Sequence, residues 1–212
     1  MDRRARLWAL LALIWAPAML LPLGRPDAAV SQDVPVEQKS LTARLLVAAP
    51  GMGDPRFAET VILMVHHDKD GAFGLVINRP VATRSYASLL EAMGEDSEGA
   101  AEGSLTIHYG GPVQPEIGFV LHSAEYHRPE TLAVDGHIAM TASREILRDI
   151  AHDKGPRSRL VIFGYAGWAG GQLEAEMARG DWFIAADDPH LVFELDRDKL
   201  WDAAMERRLQ DL

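Results

Sequence analysis

The sequence contains no cysteine. This absence excludes disulfide bonds, thiolate metal sites and cysteine nucleophiles. Phosphate-binding loops are not indicated either, because the glycines at 164–171 lack the G-x-G-x-x-G spacing and no G-x-x-x-x-G-K-[ST] motif occurs. No serine lies in a G-x-S-x-G motif, which argues against a serine hydrolase. The sequence therefore carries no recognisable signal for nucleotide binding or nucleophilic catalysis.

Basic residues are scarce. The chain of 212 residues has 21 lysines and arginines against 31 aspartates and glutamates, a formal net charge of -10. Residues 1–29 hold four arginines and two aspartates, a net of +2, so the rest of the chain carries -12. An acidic body repels phosphate backbones, whose binding depends on lysine and arginine. We therefore expect no direct binding to nucleic acid.

The N-terminus has the layout of an export signal. Arg3, Arg4 and Arg6 precede an uncharged stretch at 7–23, which polar residues follow. Residues 1–29 are predicted to be a signal peptide or an anchor, with membrane contact only through residues 7–23 if the segment stays uncleaved. This leader predicts an exported or membrane-anchored protein. The alternative is a cytoplasmic protein whose translation starts later, for example at Met19.

The remainder is predicted to be a linker at 30–40 and one folded domain at 41–212. Apolar runs bounded by turn residues predict strands at 45–49, 61–65, 73–78, 117–122, 137–140, 160–164 and 182–185. Helical spacing predicts helices at 85–93, from 141 or 143 to about 153, at 172–178 and in 187–212. Hairpins with interspersed helices, lacking regular βαβ alternation, predict an α+β fold.

The clearest hairpin turns at Asp68 and Gly71. We expect His67 and Asp68 to organise this turn by hydrogen bonds to its backbone, and Asn78 to satisfy backbone groups where Pro80 stops the second strand. A metal site is the competing interpretation. It is disfavoured because His66 and His67 are adjacent on a strand and project to opposite faces. Further ligands would have to come from the distant His108, His122 or His127.

A glycine-rich turn is predicted at 164–171, ahead of a helix whose free amides face it. Gly164 and Gly167 would permit a tight crossing, with Gly167 in a crowded position, while Trp168 covers an edge of the core. Gln172 and Glu176 are four residues apart and share a face of the helix, whereas Glu174 and Glu176 do not meet.

Three segments together carry a resemblance: 66–80 with His67, Asp68 and Asn78-Arg79-Pro80; 110–122 with Gly110-Gly111-Pro112-Val113; and 164–176 with the tryptophan turn. With Gly180-Asp181-Trp182, their order and spacing resemble the AlgH/YqgE family over nearly all of residues 41–200. The resemblance implies a compact single domain with a bifurcated, partly barrel-like, mainly antiparallel sheet surrounded by helices. It implies no settled reaction and no cofactor. The proposed role of the family is regulatory.

The chain departs from the family pattern at two sites, and the leader is a further departure. His66 stands where the family usually has an acidic residue, and Ala169-Gly170 replaces its usual Gly-Pro. Any role that depends on that acid or that proline does not carry over to this chain. The leader also departs from the resemblance, which implies a cytosolic protein.

The sequence leaves two functional hypotheses. The first is a non-enzymatic binding or regulatory module for an unknown protein or small-molecule partner, without metal or cofactor. Its candidate surface consists of Arg79, Gly164, Gly167, Trp168, Gln172 and Glu174. Arg79 could instead pair with a carboxylate inside the protein. The second hypothesis is an enzyme whose site uses His67, Asp68 and Arg79.

Overall fold

The computed structural model describes residues 40–208. The predicted leader at 1–29, residues 30–39 of the predicted linker and residues 209–212 lie outside this range, so export or membrane anchoring remains a prediction. The described part of the chain forms an α+β domain of ten strands and five α-helices. The strands are β1 (Arg44–Ala48), β2 (Val61–Asp68), β3 (Gly71–Val76), β4 (Pro80–Ser85), β5 (Ser104–Tyr109), β6 (Val113–Ser123), β7 (Thr131–Ala133), β8 (Ile138–Thr141), β9 (Arg159–Ala169) and β10 (Trp182–Ala186). The helices are α1 (Tyr86–Ala92), α2 (Arg144–Ala151), α3 (Gln172–Ala178), α4 (Pro189–Phe193) and α5 (Leu200–Glu206).

The sheet is curled, mostly antiparallel and forked at β9. Its strands follow the order β10-β1-β2-β3-β9-β6-β8-β7, with β4 and β5 on a branch. The first half of β9 pairs with β5 and β6, and its second half, from Ala166 to Ala169, pairs with β3. The bifurcated, partly barrel-like sheet that the resemblance implied is confirmed. Within residues 40–208, no helix is long and apolar enough to cross a membrane.

The central strands are covered on both faces. In β2, Val61, Leu63 and Val65 belong to the core that α4 and α5 cover, whereas Ile62 and Met64 face the side of α3. All five residues are buried. A strand that is buried on both faces has a continuous run of apolar residues. This run is the pattern that predicted the strand from the sequence.

The strands β4, β5 and β7 were not predicted, and the predicted turn at 164–171 also differs. Pro80 does not end the sheet but begins β4, an edge strand that pairs only with β5 and is polar and mostly exposed. Proline is tolerated at the first position of such a strand because no ladder hydrogen bond is lost. The predicted turn at 164–171 is also mostly strand, because β9 continues to Ala169 and only Gly170 and Gly171 turn the chain.

Glycines allow β9 to bend. Gly164 has φ 74°, and a Cβ there would lie 2.5 Å from the carbonyl oxygen of Gly111. Opposite it, Gly110 donates its amide to Phe163 and accepts from the amide of Val76, so the crossing joins β9 to β3. The backbones approach here closely enough to exclude side chains.

We predict that Gly111→Ala lowers the free energy of unfolding by about 3 kcal/mol or more. Gly111 has φ 149°, and a Cβ there would overlap the backbone carbonyl of Tyr165. Chemical denaturation measures the change. Gly136→Ala is the control, because Gly136 has no positive φ and a Cβ there meets no heavy atom within 4 Å. Equal stability of the two variants would contradict the steric argument.

A pair of carboxyl groups joins the two ends of the strand order. Asp135, between β7 and β8, forms a side-chain hydrogen bond with Asp187, which follows β10. Burial, then this hydrogen bond and the charge of Asp135, raise the pKa of Asp187 to about 6. Burial also opposes ionisation of Asp135, but hydrogen bonds from Asp187 and from the amides of His137 and Ile138 outweigh it and lower its pKa. Below about pH 6, one shared proton therefore holds the two ends together.

This shared proton predicts a pH dependence. A carboxyl group whose pKa rises on folding stabilises the protein fully below its unfolded pKa of about 3.9, and the contribution is lost as pH rises through about 6. Asp187→Asn stays neutral and can still donate to Asp135. We expect it to be more stable than the native protein at pH 7.5 by on the order of 1 kcal/mol, since partial exposure reduces the effect, and equally stable at pH 4.

Thermal unfolding across this pH range measures the difference. Asp188→Asn is the control at the adjacent position. The pKa of Asp188 is lowered, first by its hydrogen bond from Arg207 and then by that from the amide of His190. Its replacement should therefore leave stability at pH 7.5 unchanged or slightly lower. A destabilised Asp187→Asn protein at pH 7.5 would contradict the shared proton.

Candidate functional site

Two tryptophans from different strands converge on one carboxylate. The indole nitrogens of Trp168 in β9 and Trp182 in β10 both donate to Oε2 of Glu176, at 2.8 and 2.9 Å. The amide of Gln172 donates to Oε1 of Glu176 at 2.9 Å. Glu176 lies in α3 and is partly buried. We call these four residues the tryptophan cluster.

The turn before α3 positions this cluster. Gly171 has φ 78°, and a Cβ on Gly170 would lie 2.6 Å from the carbonyl oxygen of Lys69, so the turn packs against the β2–β3 hairpin. Gln172 and Glu176 then fall on one face of α3 because they are four residues apart. The Oε1 atom of Gln172 accepts from the amide of Ala169 at 3.2 Å, which fixes the side chain against the end of β9.

A cavity of about 350 Å³ lies beside the tryptophan cluster. Its aromatic walls are Trp168, Trp182 and Phe57. The ring centroids of Trp168 and Trp182 are 6.0 Å apart at 83°, and those of Phe57 and Trp182 are 5.6 Å apart at 71°. The remaining lining residues are Met52, Gly53, Asp54, Arg56, Pro112, Val113, Ala166, Gly167, Gln172, Glu176, Arg179 and Asp181. We call this space the tryptophan cavity.

Two ion pairs lie at the rim of the tryptophan cavity. Arg56 contacts Asp54 at 2.6 Å, and Arg179 contacts Asp181 at 2.7 Å. Hydrogen bonds from the Arg56 side chain and backbone lower the pKa of Asp54. Each arginine is thus held by an aspartate two residues away in the sequence.

His67 connects the start of the domain to α3. Its Nδ1 accepts from the amide of Leu41 at 3.0 Å, so the ring carries its proton on Nε2, which contacts Oε1 of Glu174 at 2.7 Å. The hydroxyl of Thr42 accepts from the backbone amide of His67, and the hydroxyl of Ser40 donates to its carbonyl. The side chain is 3% exposed. His67 therefore does not organise the hairpin turn, which corrects the prediction.

Asp68 bonds to the turn itself. Its Oδ1 accepts from the amides of Asp70 and Gly71 at 2.8 and 3.2 Å, and its Oδ2 lies 2.9 Å from Nε2 of His66. Gly71 has φ 152°, and a Cβ there would lie 2.5 Å from the carbonyl oxygen of Trp168. This glycine allows β3 to begin against the end of β9.

Asn78 and Arg79 bind the chain ahead of β2. Asn78 accepts from the amide of Val61 and donates to the carbonyl of Glu59, both at 2.9 Å. Arg79 donates to the carbonyl of Ala58 and does not pair with a carboxylate. The interpretation of Arg79 as part of an internal ion pair is therefore wrong.

This end of β2 is distant from His67 and Asp68. At about 3.3 Å per residue, the length of β2 puts roughly 20 Å between them. The structure does not bring together the three residues of the enzyme hypothesis.

The histidines of the metal hypothesis also lie apart. His122 in β6 contacts Thr141 at 2.9 Å, and His108 in β5 contacts the carbonyl of Val161 at 3.3 Å. Burial lowers the pKa of both imidazoles. In the part of the chain that the structure describes, no three histidine, aspartate or glutamate side chains are placed to hold a metal ion.

Comparison with known proteins identifies the family. Residues 45–212 match the family model described as AlgH-like. A UPF0301 protein of Jannaschia sp. strain CCS1 is 44% identical over 168 residues, which cover 78% of this chain and 87% of the relative. Another, from Ruegeria pomeroyi, is 45% identical over 166 residues, covering 78% and 90%. The chain belongs to the AlgH-like family.

Solved structures agree with this AlgH-like assignment. The solution structure of the AlgH protein from Pseudomonas aeruginosa is 39% identical, with a TM-score of 0.66 over 80% of this chain and 89% of that one. A protein from Corynebacterium diphtheriae, 22% identical with a TM-score of 0.63, covers 79% of this chain and 87% of its own. The second likeness concerns the fold alone.

The AlgH-like domain divides the predicted candidate surface. Gly167, Trp168 and Gln172 line the tryptophan cavity. Gly164 forms the bend of β9, and Glu174 contacts His67. Arg79 is bonded to the chain at Ala58.

Sequence reasoning missed much of the tryptophan cavity. Glu176 was recognised only as a neighbour of Gln172 on the helix, and Trp182 only as the start of a strand. Met52 and Phe57 lie on the loop between β1 and β2, where no pattern marked them. The Gly180-Asp181-Trp182 segment, which contributed to the resemblance, was the one signal that pointed to Trp182.

We predict that Trp168 stabilises the AlgH-like fold by both its ring and its indole N–H. Trp168 is 8% exposed. Trp168→Ala removes a buried ring and should lower the free energy of unfolding by about 3 to 5 kcal/mol. Trp168→Phe keeps most of the ring and loses one donor to Glu176, so about 1 to 2 kcal/mol is expected. Chemical denaturation measures both. Native stability of Trp168→Ala would mean that the ring does not support the fold.

Proposed function

We propose that this AlgH-like protein is a non-enzymatic binding or regulatory module that binds a small molecule in the tryptophan cavity. One observation carries the proposal. One concave site with aromatic walls and a few polar groups is lined by three segments that are distant in the sequence, at 52–57, 112–113 and 166–182. Sites for small molecules have this composition, and a volume of 350 Å³ is at the small end of their range.

Two of these three segments, 112–113 and 166–182, overlap those that carried the resemblance to the family. Pro112 and Val113 belong to the glycine-proline segment, Trp168 and Gln172 to the tryptophan segment, and Asp181 to the Gly180-Asp181-Trp182 segment. A structural role would be enough to explain the unusual residues of each segment taken singly. Their convergence on an open space supports a binding role, because residues that serve packing fill space rather than line it.

The enzyme hypothesis finds less support. His67 has both ring nitrogens engaged and is almost fully buried, and Asp68 is bonded to its own turn. Arg79 lies at the other end of β2. General acid and base groups must reach a common substrate within hydrogen-bond distance. These three residues do not line a common cavity with the tryptophan cluster.

Gly53 offers a way to narrow the cavity while keeping the fold. It lines the tryptophan cavity without a positive φ, and a Cβ there would meet no heavy atom within 4 Å. Gly167 is less suitable, because a Cβ there would lie 3.2 Å from the Tyr165 ring, on the face of β9 opposite to Trp168, so the crowding predicted from the sequence comes from that ring. Gly136 is a matched control, because it also has no positive φ and no heavy atom within 4 Å of a Cβ, and it lies outside the lining of the tryptophan cavity.

We predict that Gly53→Val weakens ligand binding and that Gly136→Val preserves it. The full chain is titrated with a panel of neutral, cationic and anionic small-molecule fragments. Binding is measured by NMR from the indole N–H resonances, with those of Trp168 and Trp182 expected to move and that of Trp201, which donates to the carbonyl of Ala48, expected to stay. Some fragments should saturate the native protein and Gly136→Val alike, because the cavity is preformed.

Three outcomes would contradict the proposal. No fragment moves the two indole resonances, or Gly53→Val binds as tightly as the native protein, or a bound fragment is chemically converted. The last outcome would contradict only the non-enzymatic part. Circular dichroism of both valine variants verifies that they remain folded.

A further inference from the structure

We propose that the tryptophan cavity binds an alkylammonium cation, with the carboxylate of Glu176 as its counter-charge. This inference rests on the proposed function, because it names the ligand class of the same site. It goes further than the shape of the cavity, since it follows from the charges and hydrogen bonds of the residues that line it.

The negative charge of Glu176 is bonded but not neutralised. Its three hydrogen-bond donors are two indoles and an amide, all of them uncharged. Among residues 40–208, no lysine, arginine or histidine forms an ion pair with it. A carboxylate offers about four acceptor positions, and the three donors leave one at Oε1. An N–H of a cationic ligand can use that position.

The other charges at the cavity cancel. Asp54 is paired with Arg56 and Asp181 with Arg179, which leaves Glu176 as the single uncompensated charge of the lining. Both arginines are held in these pairs and make no contact with Glu176 within 4.0 Å. An anionic ligand would meet a like charge in a partly desolvated space, where such repulsion is stronger than in water.

The walls also favour a cation. Ring faces carry negative electrostatic potential and attract ammonium groups within about 6 Å of their centroids. Trp168, Trp182 and Phe57 all line the space, and Trp182 is turned steeply to both of the other rings. The Phe57 ring already has the Arg56 guanidinium 5.9 Å from its centroid. Because both indole N–H groups donate to Glu176, a ligand in the cavity would meet the rings and the carboxylate side by side.

The experiment uses a series of equal carbon length. n-Butylammonium, 1-butanol and butyrate are titrated separately into the full chain at pH 7, and the indole N–H resonances of Trp168 and Trp182 are followed by NMR. We expect n-butylammonium to bind at least tenfold more tightly than 1-butanol, and butyrate to leave the resonances unmoved. Added sodium chloride should weaken the binding of n-butylammonium and leave that of 1-butanol unchanged, because only the first is electrostatic.

Glu176→Gln tests the counter-charge directly. It should reduce the affinity for n-butylammonium to that for 1-butanol. Glu194→Gln is the control, because it removes one exposed negative charge just after α4, outside the lining of the cavity, and should keep the native preference. Gly53→Val serves if Glu176→Gln does not fold, since it narrows the space without changing any charge and should weaken the binding of n-butylammonium.

Nα-Acetyl-lysine N-methylamide distinguishes two sources of the ammonium group. Binding comparable to n-butylammonium indicates that a lysine side chain of a peptide fits, and binding of n-butylammonium alone indicates a free amine. Equal affinities for n-butylammonium and 1-butanol would overturn the inference and leave the proposed binding site standing. Failure of n-butylammonium to bind would also overturn it, and the fragment panel then decides whether the cavity binds any ligand.

Discussion

The rest of the structure depends on the bend of β9 at Gly164. β9 pairs first with β5 and β6, and then, beyond Gly164, with β3. The left-handed conformation of Gly164, opposite Gly111, redirects the strand between these partners. Because of that bend, the second half of β9 reaches β3 and carries Trp168 to α3. The fork in the sheet and the tryptophan cavity therefore have the same physical origin.

Glu176 connects stability to the candidate site. A partly buried carboxylate is costly unless hydrogen bonds satisfy it, and here donors from β9, β10 and α3 do so. These bonds tie three elements together and also set the orientation of both indole rings. The arrangement that stabilises the fold thus determines which surfaces the cavity presents. Substitutions in this cluster will affect folding and binding together, which is why a glycine in the lining is the more informative position to change.

The sequence predicted the elements whose signals are local. The continuous apolar run at 61–65 identified β2, and the helix predicted at 172–178 is α3, which Gly180, with φ 79°, follows closely. β4 was missed because an edge strand needs no apolar alternation, and its side chains are mostly polar and exposed. The second half of β9 was read as a turn because glycine is frequent in turns. Only the three-dimensional crossing with Gly111 shows that here glycine serves close packing of strands.

The tryptophan cavity was less predictable than the fold for a related reason. Gly167, Trp168 and Gln172 were identified because they lie in one unusual segment of the chain. Phe57 and Trp182 come from separate segments, and they meet Trp168 only through the pairing of β1 with β10. Register between distant strands is set by the whole core. No local pattern encodes it.

Two carboxylates hold α3 from opposite directions. The helix has seven residues, too few for independent stability in water, so its position comes from tertiary contacts. Glu176 is bonded to the two tryptophans, while Glu174, two residues earlier and on another face, contacts His67 and through it the start of the domain. Leu173, on the face of the helix between those of Glu174 and Glu176, is buried. With both faces anchored, the wall that α3 contributes to the cavity is in place before any ligand arrives, so binding there would require little reorganisation of the protein.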